Sequence, residues 1–223
     1  MTKKSKILSV IFLISFIGLL ILSFMVVNGY VHQFDTDIYN FVSLFYLSSI
    51  TMLAQFVTAL GSPTVILAFC MIFVAINKIK KETTFLLLNT LLIYILNLGY
   101  RNFIMRVQPT NLHLVDVIGY SFPSEYTSLS VIFYGILVLF MLRKTNNKSL
   151  KSLLIAFYII LISIIGLSRI YLGVNYATDV IAGVCLAVVC VSAVYVIDEI
   201  IKMVLKKKQQ KKNEDPSLNL NRS

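Results

Sequence analysis

The stretch Ser168-Arg169-Ile170-Tyr171-Leu172-Gly173-Val174-Asn175-Tyr176-Ala177-Thr178-Asp179 joins two apolar runs, at positions 152–167 and 180–197. Each run has the length and composition of a membrane helix, so the two are expected to lie antiparallel with the quoted stretch at one end. Arg169 and Asp179 are charged. Because ions close to hydrocarbon are costly, charged residues at the ends of membrane spans mark a functional site by default.

The composition is that of an integral membrane protein. Of the 223 residues, 58% are hydrophobic and 13% are charged, which lies far from the balance of a soluble domain. A helix needs about 20 apolar residues to cross the hydrocarbon core of a bilayer. We therefore predict an all-α fold, a polytopic membrane bundle of six transmembrane helices. The predicted spans cover positions 7–27, 56–76, 84–104, 126–142, 152–167 and 180–197.

The basic residues are divided unequally between the two sides of such a bundle. All but three of the 20 Lys and Arg residues fall on one side, and the exceptions are Arg101, Arg106 and Arg169. Lys and Arg of short loops are retained in the cytoplasm, so we predict a multi-pass protein of the cell membrane with both termini cytoplasmic and a site on the outer side. The net charge of +10 then reflects topology and attraction to anionic lipid headgroups. It leaves no basic patch for nucleic acid.

The segments outside the spans have distinct compositions. Apolar residues at helical spacing in 38–47 predict an amphipathic helix at the outer interface. Pro63, within the stretch 61–64, is expected to start or bend the second span. We predict one membrane domain over residues 1–205 and a basic, disordered cytoplasmic tail over 206–223, where apolar periodicity is lost. The three cysteines show no metal-ligand spacing, so no metal site is predicted.

Three polar segments carry a more specific pattern. They are Arg101-Asn102-Phe103-Ile104-Met105-Arg106-Val107-Gln108-Pro109, Pro123-Ser124-Glu125-Tyr126, and the stretch from Ser168 to Asp179. Together they resemble the three motifs of the type 2 phosphatidic acid phosphatase family of membrane lipid phosphatases: Lys-x6-Arg-Pro, Pro-Ser-Gly-His and Ser-Arg-x5-His-x3-Asp. Their order, their spacing and their position at the outer ends of spans three to six agree with the family.

The departures from the family pattern fall on the catalytic positions. Asn175 stands where the family has its nucleophilic histidine, and Glu125-Tyr126 stands where it has Gly-His. Gln108 replaces the arginine before proline, and Arg101 replaces the first lysine. An asparagine amide cannot take up a phosphoryl group as imidazole does, and a tyrosine with a pKa of about 10 is a poor proton donor. No catalytic set is therefore expected to be intact.

The resemblance also implies which residues bind a ligand, in a family that needs no metal or other cofactor. In the family, the aspartate at the position of Asp179 orients the nucleophile, and the cations with the serine hold phosphate. With Arg101 and Arg169 opposed by Glu125 and Asp179, we expect a neutral polar pocket in which Glu125 pairs with one of the arginines. An ion-pair network that ties helix ends together is the alternative. The predicted ligand-binding residues are Arg101, Ser124, Glu125, Ser168, Arg169, Asn175 and Asp179.

These departures lead to the prediction that the chain is not an enzyme. It would be a pseudophosphatase that binds a membrane lipid or a membrane protein partner and regulates or scaffolds envelope or lipid metabolism. One alternative is a phosphatase of lipid phosphates or polyprenyl pyrophosphates that uses Glu125, His113 or a bound water in place of the missing groups. A second alternative is a lipid translocator. Arg106 is expected only to anchor its helix at the interface by snorkelling.

Overall fold

The computed structural model of the protein describes residues 3–77, 80–110, 114–115 and 118–214. These residues form α-helices and no strands, as the sequence predicted. The described residues between 105 and 124 form neither helix nor strand, and they lie at the end of the bundle that we call the site end. The helices are α1 (Lys3–Val27), α2 (His32–Ser43), α3 (Ser48–Leu60), α4 (Pro63–Asn77), α5 (Lys81–Ile104), α6 (Glu125–Lys144), α7 (Lys148–Tyr171) and α8 (Ala177–Glu214).

Within the described residues, five single helices are long and apolar enough to cross a membrane: α1, α5, α6, α7 and α8. The helices α3 and α4 pass the same test together, with a bend of 49° between them, and counted as one broken span they make the sixth. The protein is therefore a multi-pass membrane protein. The fourth and fifth spans, predicted over 126–142 and 152–167, are longer at both ends in α6 and α7, because polar residues at helix ends reach the interface. The helix α6 lies at the centre of the bundle, against α5, α7 and α8.

The second span bends where Pro63 begins α4, as predicted. A proline has no N–H to donate, which suits the first helical position but would break a continuous helix. Gly61 lies at the bend against α6 and α7: a Cβ added there would come within 2.8 Å of Ser130 Oγ and 2.9 Å of Ile165 Cγ2. The bend therefore brings the backbone of this span close to the centre of the bundle.

Three boundaries differ from the prediction by more than four residues. The second span begins with α3 at Ser48, eight residues before the predicted position 56. The amphipathic helix is α2 (His32–Ser43), six residues earlier than the predicted 38–47, because Gly29 with φ of +74° ends α1 and lets a new helix start at once. The helix α8 continues to Glu214, past position 206 where we predicted the tail to begin. Residues 215–223 lie outside the described part of the chain, so the division into a domain and a disordered tail stays a prediction.

Candidate active site

A cavity of about 270 Å³ opens at the site end between α4, α5, α6 and α7. All six positions where the motifs depart from the family or supply a cation lie around it. We call it the arginine cavity. Its lining includes Arg101, Gln108, Glu125, Tyr126, Arg169 and Asn175, and also Pro63, Thr64, Ile118, Tyr120 and Val174. The three motifs, separated in sequence, therefore meet in one place.

One wall of the arginine cavity carries an ion pair between the last turn of α5 and the first residue of α6. The guanidinium Nη1 of Arg101 donates to Glu125 Oε2, as the sequence predicted for Glu125. The Nε of Arg101 also donates to the carbonyl of Tyr120 at 2.7 Å. The two side chains are 14% and 16% exposed, respectively, so both can reach a ligand in the cavity.

The opposite wall is built around Arg169, which is buried near the end of α7. Its guanidinium lies 3.8 Å from the ring centroid of Tyr126, so the tyrosine at the position of the family's second histidine supports a cation. Arg169 Nε donates to Asn175 Oδ1 at 3.1 Å, and Nη1 donates to Thr58 Oγ1 at 3.3 Å. Among the described residues, no carboxylate lies within 4 Å of this guanidinium.

Asn175 is held by hydrogen bonds from three directions. Its Oδ1 accepts from Arg169 and from Ser124 Oγ at 3.3 Å, and its Nδ2 donates to the carbonyl of Ser121 at 2.7 Å. Both ends of the amide are thus used, and the side chain fixes the position of the arginine. The asparagine at the nucleophile's position is therefore a positioning group for Arg169.

Asp179 lies apart from the arginine cavity, in a buried ion cluster. This cluster consists of Asp35, Asp179 and Arg106, which pairs with both carboxylates, and we call it the acid triad. Arg106 Nη1 donates to Asp179 Oδ1 at 2.6 Å, and Arg106 Nη2 donates to Asp35 Oδ2 at 2.7 Å. Thr178 donates from its backbone N to Asp35 Oδ1 at 2.9 Å, which joins α2 to the start of α8. Burial raises the pKa of Tyr176, although the Arg106 guanidinium against its ring acts in the opposite direction.

This separation changes the predicted charge of the site. Asp179 and Asp35 share Arg106, so neither carboxylate opposes the arginines of the cavity. The arginine cavity has two guanidinium groups, of Arg101 and Arg169, and one carboxylate, of Glu125, which gives a net charge of +1. The predicted neutral pocket is wrong, because the spacing of a motif does not show which partner a carboxylate chooses. A buried arginine without a carboxylate favours a bound anion.

The remaining predicted ligand residues have other partners. Ser124 does not line the cavity, but it contacts Asn175 and receives a hydrogen bond from Thr127 Oγ1 at 3.0 Å. Ser168 Oγ donates to the carbonyl of Ile165 at 2.7 Å, within its own helix. His113, the imidazole considered as a replacement base, lies outside the described residues. The assignment of these residues to ligand binding stays a prediction.

Sequence reasoning missed the residues that join the elements of the site. Arg106 was expected to anchor at the interface, whereas it holds two carboxylates in the acid triad. Asp35 is 2% exposed and Thr58 is 8% exposed, and neither belongs to a motif. One signal was available for Asp35: a carboxylate in the first turn of an amphipathic helix, close to the same interface as Arg106.

Comparison with known proteins agrees with this geometry. Residues 101–201 match the family model of the PAP2 superfamily. This segment, a little less than half of the chain, is similar to the PAP2 superfamily. The predicted resemblance to the type 2 phosphatidic acid phosphatases is therefore confirmed. Phosphatidylglycerophosphatase B of Bacillus subtilis (strain 168) is 32% identical over 110 residues, which are 48% of this chain and 54% of that protein. The chain thus spans about half the length of this curated relative.

Two solved structures share the PAP2 fold of the chain. The first transmembrane PAP2 type phosphatidylglycerolphosphate phosphatase from Bacillus subtilis has a TM-score of 0.77 and 24% identity, over 85% of this chain and 96% of that one. Aquifex aeolicus LpxE has a TM-score of 0.57 and 22% identity, over 71% of this chain and 93% of that one. The six-span architecture is therefore that of membrane PAP2 proteins.

These comparisons contradict the prediction that the chain is not an enzyme. The relative with 32% identity and the structure with a TM-score of 0.77 are both phosphatases by name. The prediction was wrong because it rested on two premises, the missing histidines and a neutral site. The second premise fails, since the arginine cavity is positive. The absence of imidazole excludes a phosphohistidine at Asn175, but it does not exclude attack by water.

Proposed function

We propose that the protein is a membrane lipid phosphatase that hydrolyses a phosphate monoester in the arginine cavity. One observation carries the proposal. The cavity holds two guanidinium groups, of Arg101 and Arg169, and the second is buried without a carboxylate partner. Guanidinium groups bind phosphate oxygens in a bidentate manner, and they stabilise the charge that develops on phosphorus as the ester breaks.

The hydrolysis proposed here is direct attack by water. A water oxygen bonds to phosphorus while the Glu125 carboxylate accepts its proton, and the bond from phosphorus to the lipid oxygen breaks. The proton passes from Glu125 to the departing alkoxide, so the products are a lipid alcohol and inorganic phosphate. Glu125 is the carboxylate of the cavity, and its ion pair with Arg101 fixes its position.

The substrate class follows from the relatives and from the setting of the site. The curated relative and one of the solved structures, both from Bacillus subtilis, are named for the phosphate of phosphatidylglycerophosphate, so we propose this lipid first and phosphatidic acid second. Polyprenyl pyrophosphate is a further candidate, because its terminal phosphate presents the same oxygens; in that substrate the P–O–P anhydride bond breaks, and the products are polyprenyl phosphate and inorganic phosphate. Since the basic residues concentrate at the other end of the bundle, we propose that the cavity faces outward from the cell membrane.

Phosphate release by the purified full chain tests this proposal. The native protein should release phosphate from phosphatidylglycerophosphate in mixed micelles. Arg169→Gln should lower kcat/KM by about 10²- to 10³-fold, since one donor to the transition state is lost. The control is Lys151→Gln, which also removes one positive charge from α7 but at the opposite end of that helix. It should leave the rate of phosphate release unchanged. Absence of release from all three lipids would overturn the proposal.

Glu125→Gln separates the role of Glu125 as the general base from its effect on the net charge of the cavity. Removal of the carboxylate raises the net charge of the cavity by one unit, so the substrate should bind more tightly. At the same time, kcat should fall by about 10²- to 10⁴-fold, because proton transfer from water is lost. Asp37→Asn, an exposed carboxylate on α2 outside the cavity, is the matched control. An unchanged kcat in Glu125→Gln would exclude Glu125 as the base.

A further inference from the structure

A second polar cavity lies at the end of the bundle opposite the arginine cavity. It has a volume of about 300 Å³ and lies between α4, α5 and α6. We call it the far-end cavity. Its lining comprises the cations Lys80, Arg143 and Lys144, the polar residues Asn77, Glu82 and Thr83, and the rings of Phe73 and Phe140. None of these residues lines the arginine cavity.

The charge of the far-end cavity is positive. Three cations face one carboxylate, Glu82, which gives a net charge of +2. In the described part of the chain, every ion pair within 4 Å lies at the site end, so Lys80, Arg143 and Lys144 have no such carboxylate partner. Three like charges around one cavity repel each other unless an anion occupies it.

A buried hydroxyl in this lining has no partner among the described residues. Thr83 is 1% exposed, and its Oγ1 makes no hydrogen bond. Thr90, about two turns further along α5, donates to the carbonyl of Leu86 at 2.8 Å, as a threonine inside a helix usually does. Thr83 lies in the first turn of α5 and belongs to the lining of the cavity. A buried polar group without a partner calls for a ligand.

The start of α5 adds further donors at the same place. Its N-cap residue, Lys80, makes no side-chain cap hydrogen bond. The N–H groups of a first helical turn have no partner within the helix and carry the positive end of its dipole. Cations, a free hydroxyl and an uncapped helix start therefore converge on one cavity, and together they fit the oxygens of a phosphate group.

The aromatic rings of the cavity indicate which kind of molecule bears that phosphate group. Phe73, on α4, and Phe140, on α6, lie in membrane-spanning helices near the ends of those helices. A lipid whose headgroup enters the cavity can run its acyl chains along these rings. We propose that the far-end cavity binds the phosphate group of an anionic phospholipid. This lipid is not the substrate, because the 20 residues of α6 place the two cavities about 30 Å apart.

Thermal unfolding of the full chain in detergent, with and without added lipid, tests this inference. Phosphatidylglycerol is the probe, since its phosphodiester lacks the terminal phosphate that the proposed reaction removes. It should raise Tm by about 5 °C, whereas phosphatidylcholine and inorganic phosphate should raise it by less than about 1 °C. Native mass spectrometry should show phosphatidylglycerol retained on the protein. An equal shift with phosphatidylcholine, or a full shift with inorganic phosphate alone, would overturn the assignment to an anionic lipid.

Variants locate the effect in the far-end cavity. Lys80→Gln with Arg143→Gln should abolish most of the Tm shift, whereas Lys148→Gln with Lys151→Gln, at the same end but outside the cavity, should keep it. Equal loss in both pairs would mean general attraction to the membrane surface and would overturn the proposal.

Thr83→Val separates a ligand contact from a structural role. Without lipid, its Tm should equal or exceed that of the native protein, since an unpaired hydroxyl is removed. With phosphatidylglycerol, its Tm shift should fall by at least half. A lower Tm without lipid, combined with an unchanged lipid shift, would contradict the role of the hydroxyl. Phosphate release at the arginine cavity, measured in parallel, keeps this result separate from the proposed catalysis.

Discussion

At the scale of single residues, Asn175 and Tyr126 both contact the guanidinium of Arg169 and fix its position. The amide oxygen of Asn175 accepts from Arg169 Nε, and the ring of Tyr126 lies against the guanidinium. The residues at the two positions that the family uses for proton and phosphoryl transfer thus hold the guanidinium of Arg169 in place. In the proposed reaction, the site therefore depends on phosphate binding and on attack by water rather than on imidazole.

Gln108 offers a test of the charge argument at this scale. It lines the arginine cavity and donates to the carbonyl of Gly119 at 2.9 Å. Gln108→Arg keeps a donor and raises the net charge of the cavity from +1 to +2, so KM for the lipid phosphate should fall about tenfold. The inhibition constant for inorganic phosphate should fall with it. Gln55→Arg, exposed at the same end, is the control; an equal effect there would show that the surface potential alone matters.

The sequence predicted the members of the arginine cavity better than its charge. Motif spacing brought together Arg101, Glu125, Arg169 and Asn175, because three segments with that order must meet at one end of an antiparallel bundle. It did not show that Asp179 would face Arg106 and Asp35, since Asp35 lies 143 residues from Thr178 and belongs to no motif. Partner choice in an ion cluster depends on how α2 docks, which no local pattern encodes.

At the scale of elements, the acid triad is the connection that fixes α2 to the bundle. Asp35 accepts from Arg106 on the α5–α6 connection and from Thr178 on α8. Both of its oxygens are buried, so loss of the charge leaves Arg106 partly unpaired. The interfacial helix predicted from its apolar spacing is therefore held by ions as well as by its apolar face.

Asp35→Asn should lower the free energy of unfolding by about 3 kcal/mol, because one member of a buried ion cluster is neutralised. Asp37→Asn, on the same helix but exposed and hydrogen-bonded to Gln33, should change it by less than about 0.5 kcal/mol. Denaturant unfolding in detergent measures both. Equal stability of the two variants would show that α2 is held by its apolar face alone.

The bend in the second span makes a separate prediction about packing. In Gly61→Ala, the new Cβ would lie within 3 Å of Ser130 Oγ and Ile165 Cγ2, so α3 and α4 must move away from α6 and α7. The free energy of unfolding should fall by about 1 to 3 kcal/mol. Gly99→Ala, where a Cβ meets nothing within 4 Å, should be neutral. The sequence predicted this bend from Pro63, but not the close approach at Gly61, which depends on the neighbouring helices.

At the scale of the whole molecule, the chain is a six-span bundle with a polar cavity at each end. Apolar run lengths were enough to predict the spans, because the thickness of the bilayer fixes helix length. The orientation of the bundle rests on the basic residues alone. It therefore stays a proposal that needs its own measurement.

Cysteine labelling in intact cells checks the orientation. Asn40→Cys on α2 and Asn146→Cys between α6 and α7 are both exposed positions, at opposite ends of the bundle. In a background with the three native cysteines replaced, a membrane-impermeant maleimide should label Asn40→Cys from outside and Asn146→Cys only after the cells are opened. The reverse pattern would place the arginine cavity on the cytoplasmic side.

The fate of the phosphoryl group tests the central claim most directly. The purified protein would be mixed with phosphatidylglycerophosphate labelled with ³²P in its terminal phosphate and quenched in alkali during turnover, which preserves a phosphoramidate. Direct attack by water at the arginine cavity predicts that all of the released label appears as inorganic phosphate and none remains on the protein. Label that stays on the polypeptide, or a native protein that releases no phosphate at all, would contradict it.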